Sequence, residues 1–266
     1  MRSYQQTKAF YLGGNYTKKH FDRYFTWHRY PKAFWYSLAI TLLMIFVFAI
    51  PGFGWLVFVC VVLLSLVCTI FILRAKSIPT YRQYDEWLDM IENYFGGHSR
   101  DRFRREHSKT VPKSRCMRSF VLPDSDLCSR YCIEKLVCKE EKDCKLRFSF
   151  VVFTFFYPTD RYVAVYTYRV NVLNQYEVVP EKYRAYSYAH IVEFKISTGR
   201  TSARLNNHVY SYRTERVSLH AIHGLIDIGA FSGFEPVGSN AELVPRISAN
   251  LDPIIDYLNR IVHSKW

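Results

Sequence analysis

The sequence predicts a membrane α-helical hairpin joined to a cytosolic α+β domain, and three observations carry that prediction. Two apolar runs, Ala33–Ile50 and Trp55–Leu73, contain no Asp, Glu, Lys, Arg or His. From Val121 onward, short runs rich in β-branched and aromatic residues alternate with turn-forming residues. After them comes an amphipathic stretch, Pro245–Val262, with Ile247, Leu251, Ile254, Ile255, Leu258 and Ile261 at mostly three- and four-residue intervals.

These features divide the chain into four parts. Residues 1–32 form a basic juxtamembrane arm, 33–73 the two-helix transmembrane hairpin, 74–119 a helix and basic linker, and 120–266 a cytosolic β-barrel domain. The arm carries seven Lys or Arg against one acid. Asn15–His28 reads as a short helix at the lipid headgroup level, with Phe21, Tyr24, Phe25 and Trp27 as its apolar contacts.

Each apolar run is long enough to cross a hydrocarbon core of roughly 30 Å at about 1.5 Å per residue. Pro51-Gly52-Phe53-Gly54 lies between them and suits a turn better than a helix interior. Arg23, Arg29 and Lys32 precede the first run, Arg74, Lys76 and Arg82 follow the second, and the turn is uncharged. By the positive-inside rule both termini are expected in the cytoplasm. The formal net charge of +13 sits mostly beside the apolar runs. That placement favours a lipid bilayer partner over nucleic acid, for which no recognisable module is present.

Tyr81–Phe95 carries Tyr84, Leu88, Ile91 and Phe95 at helical spacing, and Gly96-Gly97 is expected to close that helix. His98–Arg118 follows as a charge run. Arg147–Phe156, Tyr162–Tyr168, Tyr183–Ser197 and Arg216–Ile222 read as strands, with Val209–Arg213 a weaker one. Pro158–Asp160 and Asn171–Pro180 separate strands, consistent with antiparallel connections. In the stretch after the strands, Pro253 is compatible only with a first helical turn, so that helix is expected to begin near Asn250. Strands followed by one helix give an antiparallel β-barrel or roll, pleckstrin-homology-like, closed by a C-terminal helix.

Motifs for catalysis are absent from the sequence: there is no P-loop, no G-x-G-x-x-G, no H-E-x-x-H and no G-x-S-x-G. An enzyme is therefore not expected. His220 and His223 lack further ligands at usable spacing, and Asp227 reads as a turn or cap residue. The seven cysteines do not form a zinc ribbon. From Cys128 their spacing, through Cys132, Cys138 and Cys144, lacks paired C-x2-C knuckles, so free thiols and no metal are expected.

A binding surface is better supported. Aromatic rings stack on bases, and Arg grips phosphate with two parallel N–H donors. Tyr166, Tyr168, Arg169, Arg184, Tyr186, Tyr188, His190, Arg204 and Arg213 are the candidate ligand-binding residues. Alternation along Tyr183–Ser197 sets Tyr186, Tyr188 and His190 on the side of Val192, Phe194 and Ile196, lining a pocket inside the barrel. The alternative is a core of aromatic residues rimmed by arginines.

The basic arm, the apolar hairpin, the YDEWL-type helix and the strands KLRFSFVVFTFF and YRAYSYAHIVEFKIST resemble bacterial two-transmembrane proteins with a cytosolic β-barrel. Some proteins of that build are anti-phage effectors, paired with a nucleotide cyclase or polymerase-like enzyme. The resemblance implies a bacterial inner-membrane effector whose barrel binds a cyclic oligonucleotide. Ligand binding would control homo-oligomerisation and disruption of the membrane. No resident cofactor is implied beyond that ligand. The competing expectation is a non-enzymatic, membrane-anchored scaffold or lipid- or protein-binding module.

Overall fold

The computed structural model describes residues 22–25, 35–36, 38–39, 42–43, 54–76, 78–107, 110–121, 137–140, 146–173, 179–205, 208–237 and 252–264. The chain divides into two compact units, Met1–Asp85 and Glu86–Trp266.

In the first unit, α1 spans Gly54–Lys76. Residues 22–25 are helical, and the Tyr24 ring stacks on Tyr84 at 5.3 Å between centroids while Phe25 meets it edge-on at 5.9 Å. The remainder of the expected Asn15–His28 helix lies outside the described residues. Thr80 starts α2 (Tyr81–His107) with a capping box. Its N–H donates to Gln83 Oε1 at 2.8 Å, and the Gln83 N–H donates back to Thr80 Oγ1 at 3.2 Å.

Among the described residues, no helix is long and apolar enough to cross a membrane. This corrects the expected transmembrane hairpin over 33–73 and the inner-membrane placement with both termini cytoplasmic. Of Ala33–Ile50, only residues 35–36, 38–39 and 42–43 are described. An apolar run in a sequence states that side chains avoid water. It does not state what surrounds them.

The second unit is built on a seven-stranded antiparallel sheet with the order β6-β5-β4-β1-β9-β8-β7. The strands are β1 (Arg115–Phe120), β4 (Phe150–Pro158), β5 (Tyr162–Asn171), β6 (Val179–Ser187), β7 (Ile191–Leu205), β8 (His208–Ala221) and β9 (Gly224–Val237). A separate two-stranded ribbon joins β2 (Cys138–Glu140) to β3 (Leu146–Phe148). Helix α3 (Asp252–His263) completes the unit, two residues later than expected, with Pro253 in its first turn.

No pairing joins β6 to β7, so the sheet is open and the expected closed barrel is corrected to a curled sheet. Tyr188–His190, a single 3-10 turn, carries the chain from one edge strand to the other. The sheet still curls enough to share one core. Phe156, Val163 and Val165 from one end meet Phe194, Val217, Leu219 and Ile228 from the other, with Ile255, Leu258 and Val262 of α3. Each such side chain contributes about 1.5–3 kcal/mol on burial.

Helix α2 covers the opposite face. The Phe95 ring stacks on Tyr168 at 4.3 Å and Phe103 on Tyr157 at 5.2 Å. Arg118 of β1 bonds Asp89 at 2.5 Å and also bonds Glu92, which ties the strand to the helix. The helix does not stop at Gly96-Gly97 as expected. A Cβ at Gly96 would lie 3.4 Å from the Phe155 ring, so this glycine permits close packing of helix on sheet. Ser99, fully buried one turn on, lies 2.7 Å from Tyr157 Oη.

Candidate functional site

The last turn of α2, the β4–β5 turn and α3 enclose a cavity of about 350 Å³. Its walls carry the rings of Phe103, His107, Tyr162 and Tyr257, with Pro112, Pro158 and Ile261 completing the apolar surface. Thr159, Asp160 and Arg161 contribute from the turn.

That turn is rigid for a local reason. Thr159 Oγ1 donates to the Tyr162 carbonyl at 2.7 Å and accepts the N–H groups of Arg161 and Tyr162 at 3.3 and 3.1 Å. Asp160 and Arg161 are thereby left exposed at its tip. Tyr162, the first residue of β5, points toward α2 and places its hydroxyl 2.7 Å from His107 Nδ1. Tyr183 of β6, opposite Tyr166 in register, places its hydroxyl 3.3 Å from His107 Nε2.

A second set of contacts continues along the sheet. Tyr166 donates to Glu106 Oε2 at 2.9 Å, and Arg102 Nε donates to Glu106 Oε1 at 2.6 Å. The Arg102 guanidinium also lies 5.9 Å from the Tyr166 ring centroid. Burial pushes the Glu106 carboxyl up, yet the bonds from Arg102 and Tyr166 outweigh it and hold the carboxyl below its ordinary value. Burial raises the phenols of Tyr162, Tyr166 and Tyr183, and the Glu106 charge adds to the rise in each. All three hydroxyls therefore stay protonated and able to donate throughout the neutral range.

The nine residues predicted from sequence do not converge on this cavity. Tyr166 lies beside it, and Tyr168 shares the α2-facing side of β5, 3.1 Å from His98 Nδ1. Arg169, half-buried, falls on the other face of β5 by alternation. Tyr186 packs against the central core and Tyr188 is part of it, where burial pushes its phenol up to about 12. His190 sits at an exposed corner, its ring 6.3 Å from His223. Arg184 and Arg213 are exposed on separate strands, and the side chain of Arg204 lies outside the described residues.

Of the residues expected on one side across Tyr183–Ser197, Tyr186, Tyr188, Phe194 and Ile196 do share the central core, whereas His190 and Val192 are exposed at and just after the 3-10 turn. Sequence reasoning missed Phe103, His107, Arg161 and Tyr257 as members of one site. Their only sequence signal was aromatic and basic residues on segments that each ended at a turn.

Among the described residues, no group of three His, Cys, Asp or Glu is placed to hold a metal. Cys68, Cys116 and Cys138 are free thiols, and burial pushes Cys138 up to about 12. Cys128, Cys132 and Cys144 lie outside the described residues. Asp227 accepts a bond from Ser218 at 2.8 Å and from Arg216 at 3.3 Å, a cross-strand role on β9 rather than the turn or cap expected.

The fold and the site define an α+β protein with an open, curled antiparallel sheet and an aromatic cavity between its two flanking helices. No family model, curated protein or solved structure matches the chain.

Proposed function

We propose that this chain is a non-catalytic sensor whose cavity takes one nucleoside unit of a cyclic nucleotide signal. The observation that carries the reading is the ring composition of the cavity wall, with Arg161 exposed at its mouth. Phe103, His107, Tyr162 and Tyr257 offer stacking surfaces, and a guanidinium at the rim suits a phosphate. The volume is at the small end of the usual range for ligand sites, about 300–1,000 Å³, which fits one base and its sugar better than a whole cyclic oligonucleotide.

The resemblance to anti-phage effectors supplies the biological setting of this proposal, a bacterial defence system in which a nucleotide cyclase or polymerase-like enzyme makes the signal. Membrane disruption is not carried forward as the output, for the reason given with α1.

Calorimetric titration of the full chain with cyclic di- and trinucleotides tests the reading. Binding that falls at least about tenfold in both Arg161→Ala and Tyr162→Ala is expected, as for loss of one charged contact and one stacking ring. Absence of heat with every cyclic nucleotide tried rejects it.

A further inference from the structure

The polar groups around the cavity differ in what they have left to offer a ligand. The Tyr257 hydroxyl donates to the Lys113 carbonyl at 3.3 Å, and the Tyr162 hydroxyl is engaged with His107 Nδ1 at 2.7 Å. Thr159 Oγ1 is committed within its own turn. Pro112 and Pro158 bring no backbone N–H to the wall. Two adjacent charges, Asp160 and Arg161, stand exposed at the mouth, and Asp160 is the one acid among the described residues of the wall.

An ionised carboxylate accepts through two oxygens and donates nothing. Proteins read unpaired bases by hydrogen bonds to their Watson–Crick edges. On that edge only guanine sets two donors side by side, N1–H and the N2 amino group. Adenine and cytosine each place a ring-nitrogen acceptor beside the amino donor, and the single N–H of uracil lies between two carbonyl acceptors. Each of these three turns at least one lone pair toward a carboxylate and leaves an oxygen of it unsatisfied.

We propose that Asp160 makes the cavity selective for guanine, its carboxylate accepting N1–H and the N2 amino group while Arg161 takes the phosphate. This inference rests on the nucleotide reading above and adds the identity of the base. The two neighbours in the β4–β5 turn thereby divide one nucleotide between them, the acceptor reading the base and the donor holding the phosphate.

Calorimetric titration of the full chain with cyclic di-GMP, cyclic di-AMP and cyclic di-IMP tests it. The inosine compound lacks only the N2 amino group of guanine, so this comparison needs no variant. Cyclic di-GMP is expected to bind at least about tenfold more tightly than either of the others. In Asp160→Asn the side-chain amide offers one acceptor and one donor, which match the N6 amino group and N1 of adenine. The preference is therefore expected to reverse toward cyclic di-AMP, and a thermal melt establishes that the variant folds. Equal affinity of the wild type for the three compounds, or tighter binding of another cyclic nucleotide, overturns the guanine assignment and leaves the sensor reading standing. A guanine preference that persists unchanged in folded Asp160→Asn overturns the role of Asp160. Absence of heat with every cyclic nucleotide rejects the underlying reading, and this inference with it.

Discussion

The Tyr162 hydroxyl lies 2.7 Å from Nδ1 of His107, joining the first residue of β5 to the last turn of α2. Tyr183 approaches the other ring nitrogen at 3.3 Å, so a single imidazole ties two adjacent strands to the helix. A neutral imidazole donates from only one nitrogen. One phenol therefore donates to the ring and the other accepts from it, so whichever phenol donates must be protonated.

Alkaline stability follows from that arrangement. Burial raises the phenols of Tyr162, Tyr166 and Tyr183 above the ordinary value of about 10, with the Glu106 charge adding to it. A folded-state value above the unfolded one stabilises the fold fully below the unfolded value. That stability is lost as pH rises through the folded values. The urea midpoint is expected to stay level up to about pH 10 and to fall above it. Tyr166→Phe should flatten the fall, and an equal fall in wild type and variant would refute the assignment.

Arg118 links β1 to α2 through two carboxylates. Its side chain is one-third exposed, as is Glu92 at 29%, whereas Asp89 is 62% exposed. Burial lowers the Arg118 value, but the bonds to Asp89 and Glu92 outweigh it, and the net shift is upward. Arg118→Met is expected to cost about 1–2 kcal/mol, since it leaves Glu92 partly buried without its partner. Glu92→Gln should cost more than Asp89→Asn in chemical denaturation. The reverse order would show that exposure does not rank the two contacts.

The glycine pair inside α2 offers a contrast of sign. A Cβ at Gly97 meets nothing within 4 Å, while one at Gly96 meets the Phe155 ring at 3.4 Å. Gly97→Ala is expected to stabilise the protein by about 0.4–1 kcal/mol through the loss of unfolded-chain freedom. Gly96→Val, which adds bulk against the same ring, should destabilise it by about 1–3 kcal/mol. Thermal melts of the two variants should therefore move in opposite directions.

Much of the second unit was legible from side-chain pattern alone. The β-branched and aromatic richness of Arg147–Phe156 and Tyr162–Tyr168, and the three- and four-residue recurrence of Ile254, Leu258 and Ile261, correspond to β3 with β4, to β5 and to α3. Strand β9 escaped notice because Gly224–Val237 contains three glycines and a proline, a composition that reads as loop until β8 supplies its partner. The extent of α2 was hidden by Gly96-Gly97, which ends a helix in isolation but here permits contact with Phe155.

The candidate site was less legible. Phe103 and His107 of α2, Tyr162 of β5 and Tyr257 of α3 lie on three segments far apart in the sequence, and only the curl of the sheet against α2 and α3 brings them to one cavity.

By itself the sequence determined which segments alternate, which recur at helical spacing and which residue types avoid water, because those follow from local backbone geometry. Only the tertiary structure decided that the sheet stays open. A single turn at Tyr188–His190 lets consecutive strands occupy opposite edges, and no local pattern encodes which edges pair. Tertiary structure also decided the site, because His107 gains its meaning from two phenols on neighbouring strands, Tyr162 and Tyr183.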